Sequence, residues 1–409
     1  MAGRRWPRWS ELQPLLQPQR IPLDPVERRL GSAHTIGDLR AIARRRVPRA
    51  VFDYTDGAAE EEISLRRARR AFARVEFQPQ VLHDVSEVDT TATVLGRTWP
   101  QPFMLAPTGF TRMMHHEGER AAGRAAARRG LTYGLSTMGT TSIEELAAEI
   151  PDCPKWFQLY VWRDRGAGQE LVERAKAAGY EALLLTVDTQ VGGGRMRDVR
   201  NGLTIPPALT PSTVLDAALH PAWWLNLLTT EPLSFASLHS YQGTIAELVG
   251  TLFDPSMTYD DIDWLRGIWP GPLLIKGITT VADAKAVIDR GADGVIVSSH
   301  GARQLDRTPV PLEVLAPVVD AVGDRAEVLL DTGITNGGDI VAAMALGAKG
   351  CLTGRAWLYG LMAGGERGVD RAIGILTGQI KRTLQLLGVA RVADLNRSHV
   401  RLRSTELDR

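Results

Sequence analysis

The sequence predicts an α/β protein, a (β/α)8 barrel of the TIM type with an N-terminal helical arm and a long insertion after the fourth strand. Three observations predict it. From residue 102 onward, apolar runs of strand length alternate with amphipathic helical stretches, giving roughly eight strand-helix units. The runs are apolar throughout rather than alternating, as strands buried on both faces of a parallel sheet must be. Polar and charged residues then collect where the runs stop, and in a barrel those ends share one mouth.

Length and composition set the frame. A chain of 409 residues with 44% hydrophobic residues can bury one large decorated core, and is too short for two equal ones of that size. A formal net charge of +1 without a long basic block excludes nucleic acid as the expected partner. The two cysteines, Cys153 and Cys351, sit in no CxxC or metal-ligand spacing, so no metal is expected and a reducing cytoplasm is the expected compartment. The N-terminal arginines are followed by Glu11, Gln13 and Gln17 where a signal peptide needs an apolar core, and no stretch reaches the length of a spanning helix.

Residues 1–34, rich in Pro and Arg, read either as a packed arm or as a mobile tail. In 35–46, Ile36, Leu39, Ile42 and Ala43 recur at helical spacing behind a Thr35 cap, and Pro48 closes that helix. A second helix spans 50–55 and ends near Gly57. Val75, Phe77 and Val81, then 88–94, alternate as short strands that plug the bottom of the barrel. The barrel strands are FMLAPTG, LTYGLST, KWFQLY, EALLLTVDT, PLLIKGI, GVIVSSHG, EVLLDTGI and CLTGRA, with helices over 117–129, 142–149, 168–178, 281–290, 338–346 and about 365–387. The barrel domain is thus expected over 35–400, with 401–409 as a tail.

The crossover after the fourth strand is anomalous. Residues 199–260 form an insertion much longer than an ordinary βα connection, which marks a lid or a binding segment. Its Trp223, Trp224, Leu225, Leu227 and Leu228 are either core beneath a lid or a patch, within 220–235, that meets a membrane or a subunit.

The chemistry lies at the strand ends. Gln158 and Tyr160 end the third strand, Thr186 and Asp188 the fourth with Arg195 beyond, Lys276 the fifth, His300 and Arg303 the sixth, Asp331 the seventh, Gly354 and Arg355 the eighth. Two arginines and a tyrosine suit a small carboxylate, because guanidinium forks bind it bidentately. A histidine beside a buried aspartate gains basicity and a fixed tautomer, as abstraction of a proton from a hydroxy carbon or its hydroxyl requires. A lysine lowers the cost of negative charge on a reduced cofactor. The glycine-rich DTGITNGGD and LTGRAW match the usual barrel phosphate site, where N–H groups and a helix N-terminus cradle the anion. The bland readings are helix caps, tight βα turns and a structural barrel histidine, but six consecutive polar strand ends argue against them together.

SSHGARQLD, with LTVDT, QLYVW, IKGI, APTG, DYTDGA and TGRA, resembles the FMN-dependent α-hydroxy acid dehydrogenase and oxidase family, which includes glycolate oxidase, flavin L-lactate dehydrogenase and mandelate dehydrogenase. The likeness runs from about residue 35 to 399 with every motif in family order. RRLGSAHTIGDLR, RDVRNGLTIPPALT and LLTTEPLSFASL are most similar to the bacterial quinone-type L-lactate dehydrogenases. The resemblance implies that His300 is the general base and Asp188 its electrostatic partner. It implies that Arg195, Arg303 and Tyr54 hold the substrate carboxylate, that Tyr160 contacts the substrate hydroxyl, and that Lys276 faces the flavin N1 and O2 side. Pro107, Thr108, Gly109, Ser136, Gln158, Thr186 and Ser298 would line the isoalloxazine; Asp331, Gly333, Gly354 and Arg355 would bind the ribityl phosphate.

The sequence also departs from the family pattern. Ser299 replaces the common asparagine before the histidine, Thr335 an arginine offered to the phosphate, and Gln190 a proline. Met138 and Gly192 stand where glycolate oxidase has a tryptophan and a leucine, which implies a roomier site. Gly109 replaces an alanine common in oxidases and tilts the expectation toward dehydrogenase behaviour. The resemblance therefore implies FMN-dependent oxidation of an L-2-hydroxy acid, L-lactate first, with electrons passed to a quinone. It also implies a homo-oligomer, a tetramer or larger, in the cytoplasm or peripheral on the inner face of the membrane. The alternatives are an oxidase using O2, a lactate monooxygenase, a dehydrogenase of a larger aryl hydroxy acid, and a degenerate flavin-binding barrel.

Overall fold

The computed structural model describes residues 5–15, 22–202, 216, 218–233, 235–238 and 253–404. Much of the expected insertion, 203–215 and 239–252, lies outside the described residues, as do parts of the expected arm and tail.

The N-terminal segment carries α1 (Trp9–Leu12) and α2 (Pro25–Gly31). The Asp24 carboxylate caps α2 by accepting from the Val26 N–H at 2.7 Å, and Pro25 stands at the first turn where its missing N–H is harmless. Leu30 is buried, and Arg29 donates to the Ala363 carbonyl at 2.9 Å, so α2 packs on the body, whereas α1 buries no residue. Next come α3 (Ile36–Arg46), α4 (Arg49–Asp56) and α5 (Ile63–Ala73). Thr35 accepts from the Asp38 N–H at 3.1 Å and Asp38 answers the Thr35 N–H, a reciprocal cap, while Ile36, Leu39, Ile42 and Ala43 are all buried. The cap is worth about 1 kcal/mol.

β1 (Val75–Phe77) pairs antiparallel with Val400–Leu402, and β2 (Ala92–Val94) forms a hairpin with β3 (Arg97–Trp99). Val94 and Trp99 insert into the barrel floor beside Met104, Trp156, Leu274 and Ile296, so the hairpin is the expected plug. Val81, expected to continue a strand, is 77% exposed and outside any strand. Pro79, which has no N–H for a ladder, stands just ahead of it.

The barrel strands are β4 (Phe103–Leu105), β5 (Tyr133–Ser136), β6 (Lys155–Leu159), β7 (Ala182–Thr186), β8 (Leu273–Ile278), β9 (Gly294–Val297), β10 (Glu327–Leu330) and β11 (Gly350–Thr353). They close in sequence order, each parallel to its neighbours, with β11 returning to β4. All eight are the runs expected from the sequence. β12 (Val400–Leu402) lies outside the barrel.

Around the strands lie α6 (Thr111–Met114), α7 (Gly118–Arg128), α8 (Ile143–Glu149), α9 (Arg165–Ala177), α10 (Met196–Arg200), α11 (Pro221–Leu228), α12 (Asp260–Ile268), α13 (Val281–Asp289), α14 (Pro311–Val322), α15 (Gly337–Ala345) and α16 (Arg355–Leu387). The sequence reading does not anticipate α14, whose internal Pro317 argues locally against a helix. The expected helix near 365 is the second half of α16, which breaks at Gly364 and Gly365. Gly365 has φ +60°, and a Cβ there would lie 2.7 Å from a His115 ring carbon, so only glycine fits.

Both readings of the insertion find support in α11. The Trp223 indole donates to the Met113 carbonyl at 2.8 Å and packs on the core. Leu225 and Leu228, on the same helix, are 48% and 74% exposed.

Candidate active site

The C-terminal ends of the barrel strands open on a cleft of about 600 Å³. Tyr54, Pro107, Thr108, Gly109, Ser136, Gln158, Tyr160, Thr186, Arg195, Lys276, His300, Arg303, Asp331, Gly333, Gly354 and Arg355 all border it. Asp188 and Ser298, also expected at the site, stand one layer behind, in contact with His300 and Lys276. Met138 borders the cleft, whereas Gly192 is exposed and outside its lining.

β9 ends in a turn that delivers His300, the expected base, to the cleft. His300 and Ala302 take φ of +55° and +62°, a left-handed conformation that costs each of them about 1 kcal/mol or more. Hydrogen bonds hold the turn there: the Thr332 hydroxyl accepts from the Ser299 N–H at 3.2 Å and the Gly301 N–H at 3.0 Å, and Ser298 Oγ accepts from the His300 N–H at 3.0 Å. The His300 Nδ1 lies 2.9 Å from Asp188 Oδ1. Asp188 can approach because residue 277 is glycine, with φ +109°; a Cβ there would stand 2.7 Å from the Asp188 carboxyl carbon. Burial pushes the His300 imidazole down more strongly than Asp188 raises it, leaving a neutral base at neutral pH. With Nδ1 committed to Asp188, Nε2 is the nitrogen left for a substrate proton.

The anion clamp comes from three elements. Tyr54, on α4, has the Arg303 guanidinium 4.9 Å from its ring centroid and that of Arg195 at 5.7 Å. Arg303 is fixed by donating to the carbonyls of Tyr54 and Gly57. Burial, and then Arg195 beside it, push Arg303 down to about 10, still cationic at neutral pH. Tyr160 lies nearly parallel to His300, ring centroids 6.5 Å apart, and burial pushes its phenol well up, so it is a neutral donor. Phe253 meets Tyr160 edge-on at 5.4 Å and completes this wall.

On the strand beside His300, Lys276 Nζ is 3.2 Å from both Asp331 Oδ2 and Ser298 Oγ, and Ser298 donates to Asp331 at 2.7 Å. Burial would raise Asp331, but Lys276 and Ser298 outweigh it and hold the carboxyl below its ordinary value. Farther round, Ser136 Oγ is 2.9 Å from Gln158 Oε1. Gln158 Nε2 and Thr186 Oγ1 are buried with no hydrogen-bond partner among the described residues. Polar atoms orphaned on the wall of a cleft call for a ligand with polar edges. A Cβ at Gly354 would meet nothing within 4 Å, so the turn after β11 leaves room at the rim. The pyrimidine edge of a flavin mononucleotide fits these orphaned atoms, and Arg355 borders the cleft beside Gly354 where its phosphate would lie.

Sequence reading missed the frame behind the clamp. Asp56 is buried and binds the Arg40 Nη2 at 2.8 Å, Arg197 Nη1 at 2.9 Å and the Tyr359 hydroxyl at 2.7 Å, tying α3, α4, α10 and α16 together around Tyr54 and Arg195. The acids of DYTDGA were the available signal. Thr332 was missed too, because a threonine after a strand reads as a helix cap.

A barrel with a histidine–aspartate pair, two arginines beside one tyrosine and orphaned polar atoms at one mouth is an arrangement that suits a flavin-dependent oxidoreductase of hydroxy acids. Comparison with known proteins makes this specific: the chain belongs to the FMN-dependent dehydrogenase family, whose model matches residues 43–402. It is 56% identical over 399 residues to the "Putative L-lactate dehydrogenase" of Mycobacterium tuberculosis, covering 98% of this chain and 96% of that one. It is 42% identical over 366 residues to the L-lactate dehydrogenase of Caulobacter vibrioides, covering 88% and 95%. Among solved structures it is similar to the monotopic membrane protein (S)-mandelate dehydrogenase, with a TM-score of 0.87 and 39% identity over 91% of this chain and 100% of that one. The protein is an FMN-dependent α-hydroxy acid oxidoreductase.

Proposed function

We propose that the protein oxidises L-lactate to the 2-oxo acid, with a quinone as electron acceptor, at a membrane surface. The observation that carries the chemistry is the His300–Asp188 pair at 2.9 Å beside the Arg303–Tyr54 clamp at one cleft. Arg303 and Arg195 take the substrate carboxylate, and the Tyr54 ring between them fixes its angle. Tyr160 orients the substrate hydroxyl. His300 Nε2 takes a proton from C2 or from the hydroxyl, and the imidazolium that forms is stabilised by Asp188 at Nδ1. Bound FMN supplies the acceptor of the electron pair. Gln158 and Thr186 would hold its polar edge, and Lys276 would supply fixed positive charge beside it.

Lactate is favoured by the relatives named L-lactate dehydrogenases, and surface attachment by the exposed Leu225 and Leu228 and the likeness to a monotopic membrane protein. No helix among the described residues is long and apolar enough to cross a membrane. Met138 on the cleft wall and the mandelate dehydrogenase neighbours favour a larger aryl hydroxy acid as the second reading. The test is anaerobic bleaching of the purified yellow protein with L-lactate and (S)-mandelate, then turnover with a soluble quinone against oxygen. The His300→Ala protein should bind FMN yet leave it oxidised under substrate. Rapid bleaching of that variant would remove His300 as the base.

A further inference from the structure

The phosphate end of the cleft is short of positive charge. A phosphate monoester carries roughly −1.5 to −2 at neutral pH. The turn after β10 supplies no cation, since Thr335 and Asn336 are neutral, and the Asp331 carboxylate is occupied with Lys276. The Arg355 guanidinium is partly committed, donating from Nε to the Thr55 carbonyl at 2.9 Å and from Nη2 to the Gly57 carbonyl at 2.7 Å.

A second arginine reaches the same turn from outside the barrel. Arg69, on α5, borders the cleft beside Gly333 and Thr335. Its Nη1 donates to the Gly333 carbonyl and, at 2.9 Å, to Asp339 Oδ2. Asp339 Oδ2 also accepts from the Thr335 N–H at 2.9 Å, so one carboxylate fastens both the arginine and the turn. Phe72 lies under the guanidinium, 5.7 Å from Cζ to ring centroid, and the same ring backs Gly333. One guanidinium nitrogen is thereby pinned, while Nε and Nη2 make no hydrogen bond among the described residues. A fork fixed on one side and free on the other suits a phosphate oxygen. We propose that Arg69 is a phosphate ligand of the bound FMN, presented by Asp339 and the Gly333 carbonyl. The plain alternative is a structural ion pair between half-exposed Arg69 and buried Asp339 that joins α5 to α15 and takes no part in binding FMN.

The inference rests on the phosphate lying at the turns after β10 and β11, so the experiment tests both. Apoprotein is titrated with FMN and, separately, with riboflavin, which lacks the phosphate, by quenching of flavin fluorescence, for wild type, Arg69→Gln, Arg69→Lys and Arg355→Gln. The proposal expects Arg69→Gln to raise the Kd for FMN roughly tenfold to a hundredfold, leave that for riboflavin within about twofold, and be partly rescued by Arg69→Lys. An unchanged Kd for FMN, or equal weakening of both ligands, overturns it. If Arg355→Gln shifts the FMN to riboflavin ratio and Arg69→Gln does not, the Arg69 assignment alone fails. If neither shifts it, the placement of the phosphate is wrong and the proposal falls with it.

Discussion

The Thr332 hydroxyl accepts a hydrogen bond from the Gly301 N–H at 3.0 Å, and with the Ser299 N–H it brackets His300 from both sides. Thr332 itself has φ +85°, unusual for a β-branched residue, so two strained turns are clasped together at the base. Thr332→Val keeps the shape and deletes the acceptor. Each lost bond costs about 1 kcal/mol, so kcat should fall about tenfold with KM for the hydroxy acid little changed, and Thr332→Ser should recover most of it. Full kcat in the valine variant would show that the turn holds His300 without this hydroxyl.

How much of this was legible beforehand follows from what each residue must satisfy. Strands buried on both faces are apolar until they stop, so their polar ends stood out, and with them His300, Lys276, Asp331 and Arg355. Arg195 stood out just beyond the fourth strand end, whereas Tyr54 needed the family resemblance, since nothing local brings α4 to the barrel mouth. Thr332, Asp56 and Arg69 were not legible, because their partners are far away in sequence; Arg69 and Asp339 are 270 residues apart. In α11 nearly every side chain is apolar, so no period could say which leucines face water.

Acid should silence the enzyme through His300. Burial holds its folded pKa below the unfolded value of about 6.5. Between the two values the unfolded chain binds the proton and the folded chain does not, so stability rises with pH there and is lost as pH falls. With His300 as the proposed base, the neutral imidazole is the active form, so kcat/KM should fall on a one-proton limb centred below about pH 6.5. Asp188 raises this pKa, so Asp188→Asn should move the limb lower still and cut kcat by about a thousandfold. A limb that moves upward in that variant would contradict the pairing.

Lys276 and Asp331 should be interdependent in stability. Removing Lys276 as methionine leaves a buried carboxylate with Ser298 and the Thr332 backbone but no cation, which costs about 3–5 kcal/mol. Lys276→Met with Asp331→Asn should cost clearly less than the two single changes added together. Urea denaturation of the four apoproteins measures the coupling, and additive losses would mean that the 3.2 Å contact carries no net interaction.

The exposed face of α11 sets the last expectation. Trp223 anchors one side of the helix through the Met113 carbonyl, which leaves Leu225 and Leu228 pointing away from the core. An eight-residue helix held this way has its leucines in water unless a bilayer or a second subunit covers them, and the bilayer is the cover proposed above. Burying a leucine side chain is worth about 1.5–3 kcal/mol. Leu225→Ser with Leu228→Ser should therefore weaken co-sedimentation with phospholipid vesicles by about a hundredfold or more. Turnover of the hydroxy acid with a water-soluble acceptor should stay unchanged, since neither leucine borders the cleft. Equal sedimentation of variant and wild type would move any membrane contact away from this helix, and a parallel loss of soluble turnover would show that α11 supports the site instead.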